Sequence, residues 1–307
     1  MARRRVAFLE SGGQMKRAWV AGEALIDLLP GEDGNRIPKV GGGPANTAKA
    51  VARLGYTTFF VGGISADEYG RAIEVELESS GVDLSLTYRG SESTALAIAT
   101  LDESGAAKYE FELDGTASFA FHGSWLPEGE PDVIHVGSVA TILEPGASAL
   151  LDWARSKSAP IVFDPNVRPS IQGNKDLYRA SVERWIDMAS IVKLSEEDLD
   201  WLYGDESVVK TWFDRGVALV VITRGDKGLS ALGSDFRVDV PAISVSVVDT
   251  VGAGDTIGAV IVEGLVEFGL AGLSGDNLFL VLERAAKAAS ITCSRAGANP
   301  PWKAELD

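Results

Sequence analysis

The sequence predicts an α/β fold: a mainly parallel central sheet flanked by helices on both faces, with a small β-sheet lid. Three features carry that prediction. Short apolar runs recur along the chain without polar interruption, the pattern of strands covered on both faces. Helix-length stretches separate several of them, as parallel crossover connections require. Two other segments alternate apolar with polar residues, the period of half-exposed antiparallel strands.

Taken in order, the first recognisable strand is Ala18-Trp19-Val20-Ala21. The polar, glycine-rich stretch from Glu10 to Lys16 precedes it, so residues 1–16 read as a tail and residues 17–307 as one domain. Met15 is an alternative natural start. Further strands are expected at Thr58-Phe59-Phe60-Val61, Val133-Ile134-His135-Val136, Ile161-Val162-Phe163, Ile191-Val192-Lys193-Leu194 and Leu219-Val220-Val221-Ile222. Ile243 to Val248 also reads as strand-like. The alternating segments run from about Leu28 to Val40 and from about Leu86 to Phe121, and together form the expected lid. In such sheets ligands sit beyond the carboxyl ends of the strands, which is where chemistry is to be sought.

The 307 residues are 46% hydrophobic and 23% charged, ample material for a large core. The formal charge of −16 argues against sequence-independent contact with nucleic acid or an anionic membrane. A phosphate compound would have to be held by local donors such as helix N-termini. Cys293, the single cysteine, permits no intramolecular disulfide and no cysteine-only metal site, and reads as a small buried hydrophobe. Arg3-Arg4-Arg5 precedes an apolar run too short for a signal peptide, and no run approaches a membrane span, so a cytoplasmic protein is expected. His122 and His135 lack carboxylates at metal-site spacing and read as packing residues. The acidic run Glu196-Glu197-Asp198 reads as a solvated helix start beyond Glu196.

The strongest motif is Asp249-Thr250-Val251-Gly252-Ala253-Gly254-Asp255. Ile257, Val260, Ile261, Gly264, Leu265 and Phe268 follow at helical spacing, so the glycines form a side-chain-poor turn at a helix N-terminus. Its bare N–H groups and the helix dipole suit an anion. Asp255 alone reads equally as a helix cap or as a base for an attacking hydroxyl. A second motif, Gly41-Gly42-Gly43-Pro44-Ala45-Asn46, opens another helix, where backbone can approach a polyol and Asn46 can bond hydroxyls. No phosphate-binding Gly-x-x-x-x-Gly-Lys-Ser/Thr and no strand-linked Gly-x-Gly-x-x-Gly is present.

These two motifs, in this order and about two hundred residues apart, resemble the ribokinase family of carbohydrate kinases. The resemblance runs from about Ala18 to Pro301 and includes Val61 to Gly70, similar to an early strand–loop signature. It implies an ATP-dependent kinase of ribokinase-like fold using Mg²⁺, with K⁺ as the monovalent ion. Asp255 would be the catalytic base, with Gly252, Ala253 and Gly254 as the anion hole. Asp27, Gly42, Gly43 and Asn46 would hold the sugar. Glu196, in the place of an Asn-x-x-Glu element, would act in the magnesium region. Lys193 replaces that element's asparagine, on the nucleotide side. Thr223, Gly225 and Gly228 would form the nucleotide-phosphate turn. Asp249, Val251, Thr292, Arg295 and Gly297 would surround the monovalent cation.

Asp164-Pro165-Asn166-Val167-Arg168-Pro169 resembles fructokinases and 2-keto-3-deoxygluconate kinases, and implies Arg168 near the substrate. The stretch from Leu86 to Phe121 carries only Arg89 and Lys108 as basic residues, which favours a neutral sugar, D-fructose first. 2-Keto-3-deoxygluconate, ribose and a nucleoside remain open as acceptors. A catalytically silent sugar-binding regulator is the rival of another class. A homodimer formed through the lid is a further expectation.

Overall fold

The computed structural model describes residues 16–31, 35–101 and 107–307. Of the expected tail, only Lys16 falls among them; its ammonium donates to the Val266 carbonyl.

Among the described residues the main sheet has nine strands. Seven run parallel, in the spatial order Leu219–Thr223, Ile191–Ser195, Ile161–Asp164, Val133–Gly137, Arg17–Ala21, Thr57–Val61 and Val82–Asp83. Leu229–Leu232 and Arg237–Val240 continue it antiparallel at one edge. Every expected parallel strand is present. Their continuous apolar runs are buried on both faces, which is why period 2 is absent from them.

One face packs against helices carrying Leu150, Trp153, Trp185 and Trp212. The other packs against Ala253–Gly272 and Gly275–Cys293. The first of these two helices is buried all round from Asp255 to Val266, as its mainly apolar sequence dictates, and the one glutamate among them, Glu263, pairs with Arg284. The chain leaves Arg17–Ala21 toward one edge of the sheet and later returns on its other side at Val133–Gly137. The crevice beyond these two strands is therefore the topological switch point, and the helix Gly43–Arg53 starts over it.

The lid is a four-stranded sheet in the order Arg36–Gly41, Leu25–Pro30, Leu96–Leu101, Ala107–Glu112. Its limits differ from the sequence expectation at both ends. Leu25-Ile26 belongs to it, and Asp27 lies inside a lid strand. Ile26 and Leu28 pack into a core shared with the helix Glu68–Ser79, so the alternation that marks half-exposed strands starts late. Tyr88–Gly90 pairs instead with Gly63–Ser65 in a separate ribbon. Arg89 thus lies outside the lid and pairs with Glu74 at 3.0 Å.

Two further expectations are corrected. Ile243 to Val248 is not a strand: Pro241 closes the edge strand before it, and Ile243, Val247 and Val248 are exposed. Asp198 is not solvated. It is buried, completes a capping box with Ser195, and accepts from the Val167 N–H at 2.9 Å. Cys293 is half-buried, and no helix among the described residues is long and apolar enough to cross a membrane.

Candidate active site

Two helix starts meet over the crevice. Gly252 takes φ +78°, where an added Cβ would fall 2.6 Å from that of Ala298, so this turn needs glycine. Asp255 follows one turn into the helix Ala253–Gly272, and only 8% of it is exposed. It does not act as an N-cap; the cap position is Gly252. Its Oδ2 accepts from Asn46 Nδ2 at 2.9 Å. An added Cβ on Gly43 would come within 3.4 Å of Asp255 Oδ1, 2.7 Å of Asn166 Nδ2 and 3.6 Å of Ser138 Cβ. The bare Gly43 therefore lets a carboxylate, an amide and a serine close in on the start of its helix.

Burial pushes the Asp255 carboxyl up to about 6, Lys193 opposing and Asp164 adding to the rise. A carboxyl tuned toward neutrality in a polar crevice suits a general base. Asn46, which the family resemblance implies holds the sugar, gives one amide N–H to Asp255, while its buried Oδ1 has no hydrogen-bond partner.

Asp27 faces the same region from the lid. An added Cβ on Gly41 would fall 2.2 Å from its Oδ2, so Gly41 makes room for the carboxylate. Burial raises Asp27 to about 6, with Arg168 opposing. Arg168 is exposed; its guanidinium donates through Nη1 to the backbone carbonyls of Asn166 and Val167, which leaves further N–H groups for a ligand. Gly42, at φ +101°, sits against the Glu23 carbonyl and caps the Asn46 helix.

The remaining expected residues follow along the strand ends. Ser195 and Thr223 are register partners, so Glu196 and the Thr223–Gly228 turn are neighbours. Glu196 is gripped by Arg224 and Lys227, which hold its carboxyl below the usual range. Gly225 and Gly228 take φ +57° and +98° in that turn. Lys193 does not face it. Its ammonium bonds Asp164 Oδ2 at 2.7 Å, beneath the start of the Asp255 helix.

On the far side, Asp249 accepts from the N–H groups of Val251 at 3.0 Å and Gly297 at 2.8 Å. Thr292 Oγ1 is 3.0 Å from Thr256 Oγ1, which also donates to the Gly252 carbonyl. Segments 249–252 and 292–298 are thereby knitted together. The Arg295 side chain turns away to Glu305. No group of three or more His, Cys, Asp or Glu residues among the described residues could hold a metal.

The pfkB family carbohydrate kinase model matches residues 15–305. The chain belongs to that family. It is a sugar kinase of ribokinase-like fold. A fructokinase of Rhizobium leguminosarum bv. trifolii is 39% identical over 270 residues, 84% of this chain and 79% of the relative. A fructokinase of Salmonella typhimurium is 32% identical over 95% of this chain and 98% of its own length. Among solved structures, fructokinase from Xylella fastidiosa with bound ATP has a TM-score of 0.89 at 25% identity, covering 95% of this chain and 97% of that one. A double-mutant fructokinase from Vibrio cholerae O395, bound to fructose, ADP and potassium ion, has a TM-score of 0.79 at 26% identity, covering 92% and 94%.

Sequence reasoning missed Ser138 and Glu23, and it gave no role to Asp164 and Asn166 although both lie in the motif that places Arg168. Asn166 and Ser138 hold positive φ angles of 40° and 60°, which marks both as held by their surroundings. Glu23 is fully buried and accepts from the Ala140 N–H at 3.0 Å, fixing the turn that carries Ser138. A carboxylate two residues past an apolar strand was the available signal for Glu23.

Proposed function

We propose that this kinase transfers the γ-phosphoryl group of ATP to a primary hydroxyl of D-fructose, giving fructose 6-phosphate. The observation that carries the reading is Asp255. It is buried at the glycine turn, held by Asn46, and comes close to Gly43, with Asp27 and Arg168 nearby. In this reading Asp27 grips sugar hydroxyls and Asp255 takes the proton of the attacking hydroxyl. The N–H groups of Gly252, Ala253 and Gly254 face the charge that develops on the phosphoryl oxygens. Positioning supplies most of the acceleration in such transfers.

The residues present fit the implied ions. Glu196 is one ionised carboxylate beside the phosphate turn, the kind of single anchor that Mg²⁺ takes when it also binds substrate phosphates. Bound there, Mg²⁺ would neutralise phosphate charge. Asp249 with the carbonyls of segments 249–252 and 292–298 is an oxygen-only set, suited to K⁺. The fructokinases among the relatives support the choice of fructose. The use of ATP as donor supports a cytoplasmic location in this reading. Exposed Ile37 and Tyr109 lie on the lid face that carries Asp27, which supports a homodimer closed through the lid.

A second reading rests on Lys39, the direct register partner of Asp27 on that face. With Arg168 it would suit an acidic acceptor such as 2-keto-3-deoxygluconate. Sugar-dependent ADP release across fructose, ribose, adenosine and 2-keto-3-deoxygluconate tests both. Fructose is expected to give the highest kcat/KM; a clear preference for the keto-deoxy acid would transfer the assignment to the second reading.

A further inference from the structure

Three adjacent parallel strands each turn one polar side chain toward the Asp255 helix: His135, Asp164 and Lys193. All three are buried, Lys193 to 4% exposure. An ammonium there is costly to desolvate and persists only with a partner. Asp164 supplies one through Oδ2, while its Oδ1 has no hydrogen-bond partner. Packing does not ask for a lysine, because Ile191, Val192 and Leu194 beside it are buried apolar residues of a parallel strand.

The position of the charge is more telling. An added Cβ on Gly254 would lie 3.0 Å from Lys193 Nζ, so the bare glycine lets the ammonium reach the first turn of the helix. A cation at a helix N-terminus has the wrong sign for helix stability. It has the right sign for negative charge arriving during phosphoryl transfer and for a carboxylate that must stay ionised.

We propose that Lys193, anchored by Asp164, is a positioning residue for the transfer: it acts through Asp255 and puts fixed positive charge behind the glycine turn. The proposal rests on the kinase reading above. Asp255 is faced by Lys193 and Asp164 from the sheet, Asn46 from its helix and Arg168 from the loop after Ile161–Asp164. His135 lies beside Gly258 and is held neutral by burial, its value pushed down to about 3. Burial opposes the charge on Lys193, but the Asp164 partnership outweighs it and raises the ammonium above its ordinary value.

The two partners act on Asp255 with opposite sign, and that sets the test. The pH dependence of kcat/KM for sugar, at saturating ATP, would be measured for the full chain and for Lys193→Met, Asp164→Asn and the double variant. Thermal unfolding would check that each folds. The acid limb is expected lowest in Asp164→Asn, then wild type, then the double variant, and highest in Lys193→Met, whose limb moves up by about one pH unit. A merely structural ion pair would leave the limbs of the folded variants coincident, and that result, or a downward shift in Lys193→Met, overturns the proposal. Should Lys193→Met not fold, the order Asp164→Asn, wild type, double variant still decides, since the double variant leaves no unpaired buried charge. A wild type that phosphorylates no sugar at any pH would instead bring down the kinase reading itself.

Discussion

Asp255 owes its chemistry to where the chain buries it. A carboxylate in water is fully ionised at neutral pH and a poor proton acceptor; desolvation at the head of an apolar helix brings it to about 6. The base form is then lost as pH falls through that value. Accordingly kcat/KM for the sugar should decline on the acid side with a midpoint near 6, and a flat profile down to pH 4.5 would contradict a base of this kind. Asp27 is proposed to grip the sugar. Removing a charged hydrogen bond to one substrate costs about 1.5–3 kcal/mol, roughly ten- to a hundredfold in affinity. Asp27→Ala should therefore raise the KM for sugar by that factor and leave the KM for ATP nearly unchanged. Equal effects on both would mean that the acceptor pocket lies elsewhere.

The elements that carry these residues differ in how far their sequences disclose them. The parallel strands were legible because burial on both faces leaves continuous apolar runs. The glycine turn was legible because a helix start without side chains is rare outside anion sites. The lid edges were not, since Leu25 and Ile26 extend an apolar pattern without alternation. The Asp164–Lys193 contact, 29 residues apart in sequence, was also hidden, although a lysine inside Ile191-Val192-Lys193-Leu194 marked a buried charge in need of a partner. Nor could the sequence disclose the Asn46–Asp255 hydrogen bond, between residues 209 apart. The same logic gives an element-scale prediction. Gly252→Ala forces a side chain into positive φ and against Ala298, prising segment 249–252 from 292–298. It should cost about 1–3 kcal/mol by chemical denaturation and weaken activation by K⁺. Wild-type stability and cation response would contradict the knitted-turn account.

For the whole molecule, the strand ends form a row: Ser138 and Asn166 at the crevice, where the helix of Asp255 starts, then Glu196, then Thr223 to Gly228. Acceptor and donor are thus expected to meet along one edge of the sheet, with the lid above the acceptor end. Residues 1–15 lie outside the described structure and carry no periodic pattern. A chain beginning at Lys16 should keep its activity and melting temperature, and a large loss of either would show that the tail packs against the body. Whether Asp255 is the base of a fructose-directed phosphoryl transfer is decided by the initial rate of fructose-dependent ADP release in wild type and Asp255→Asn, measured well above pH 6 on chains of equal melting temperature. Robust turnover is expected in the wild type, and a loss of roughly 10²–10⁴-fold in the variant. Near-normal turnover by a folded Asp255→Asn protein would contradict the assignment of Asp255 as the base.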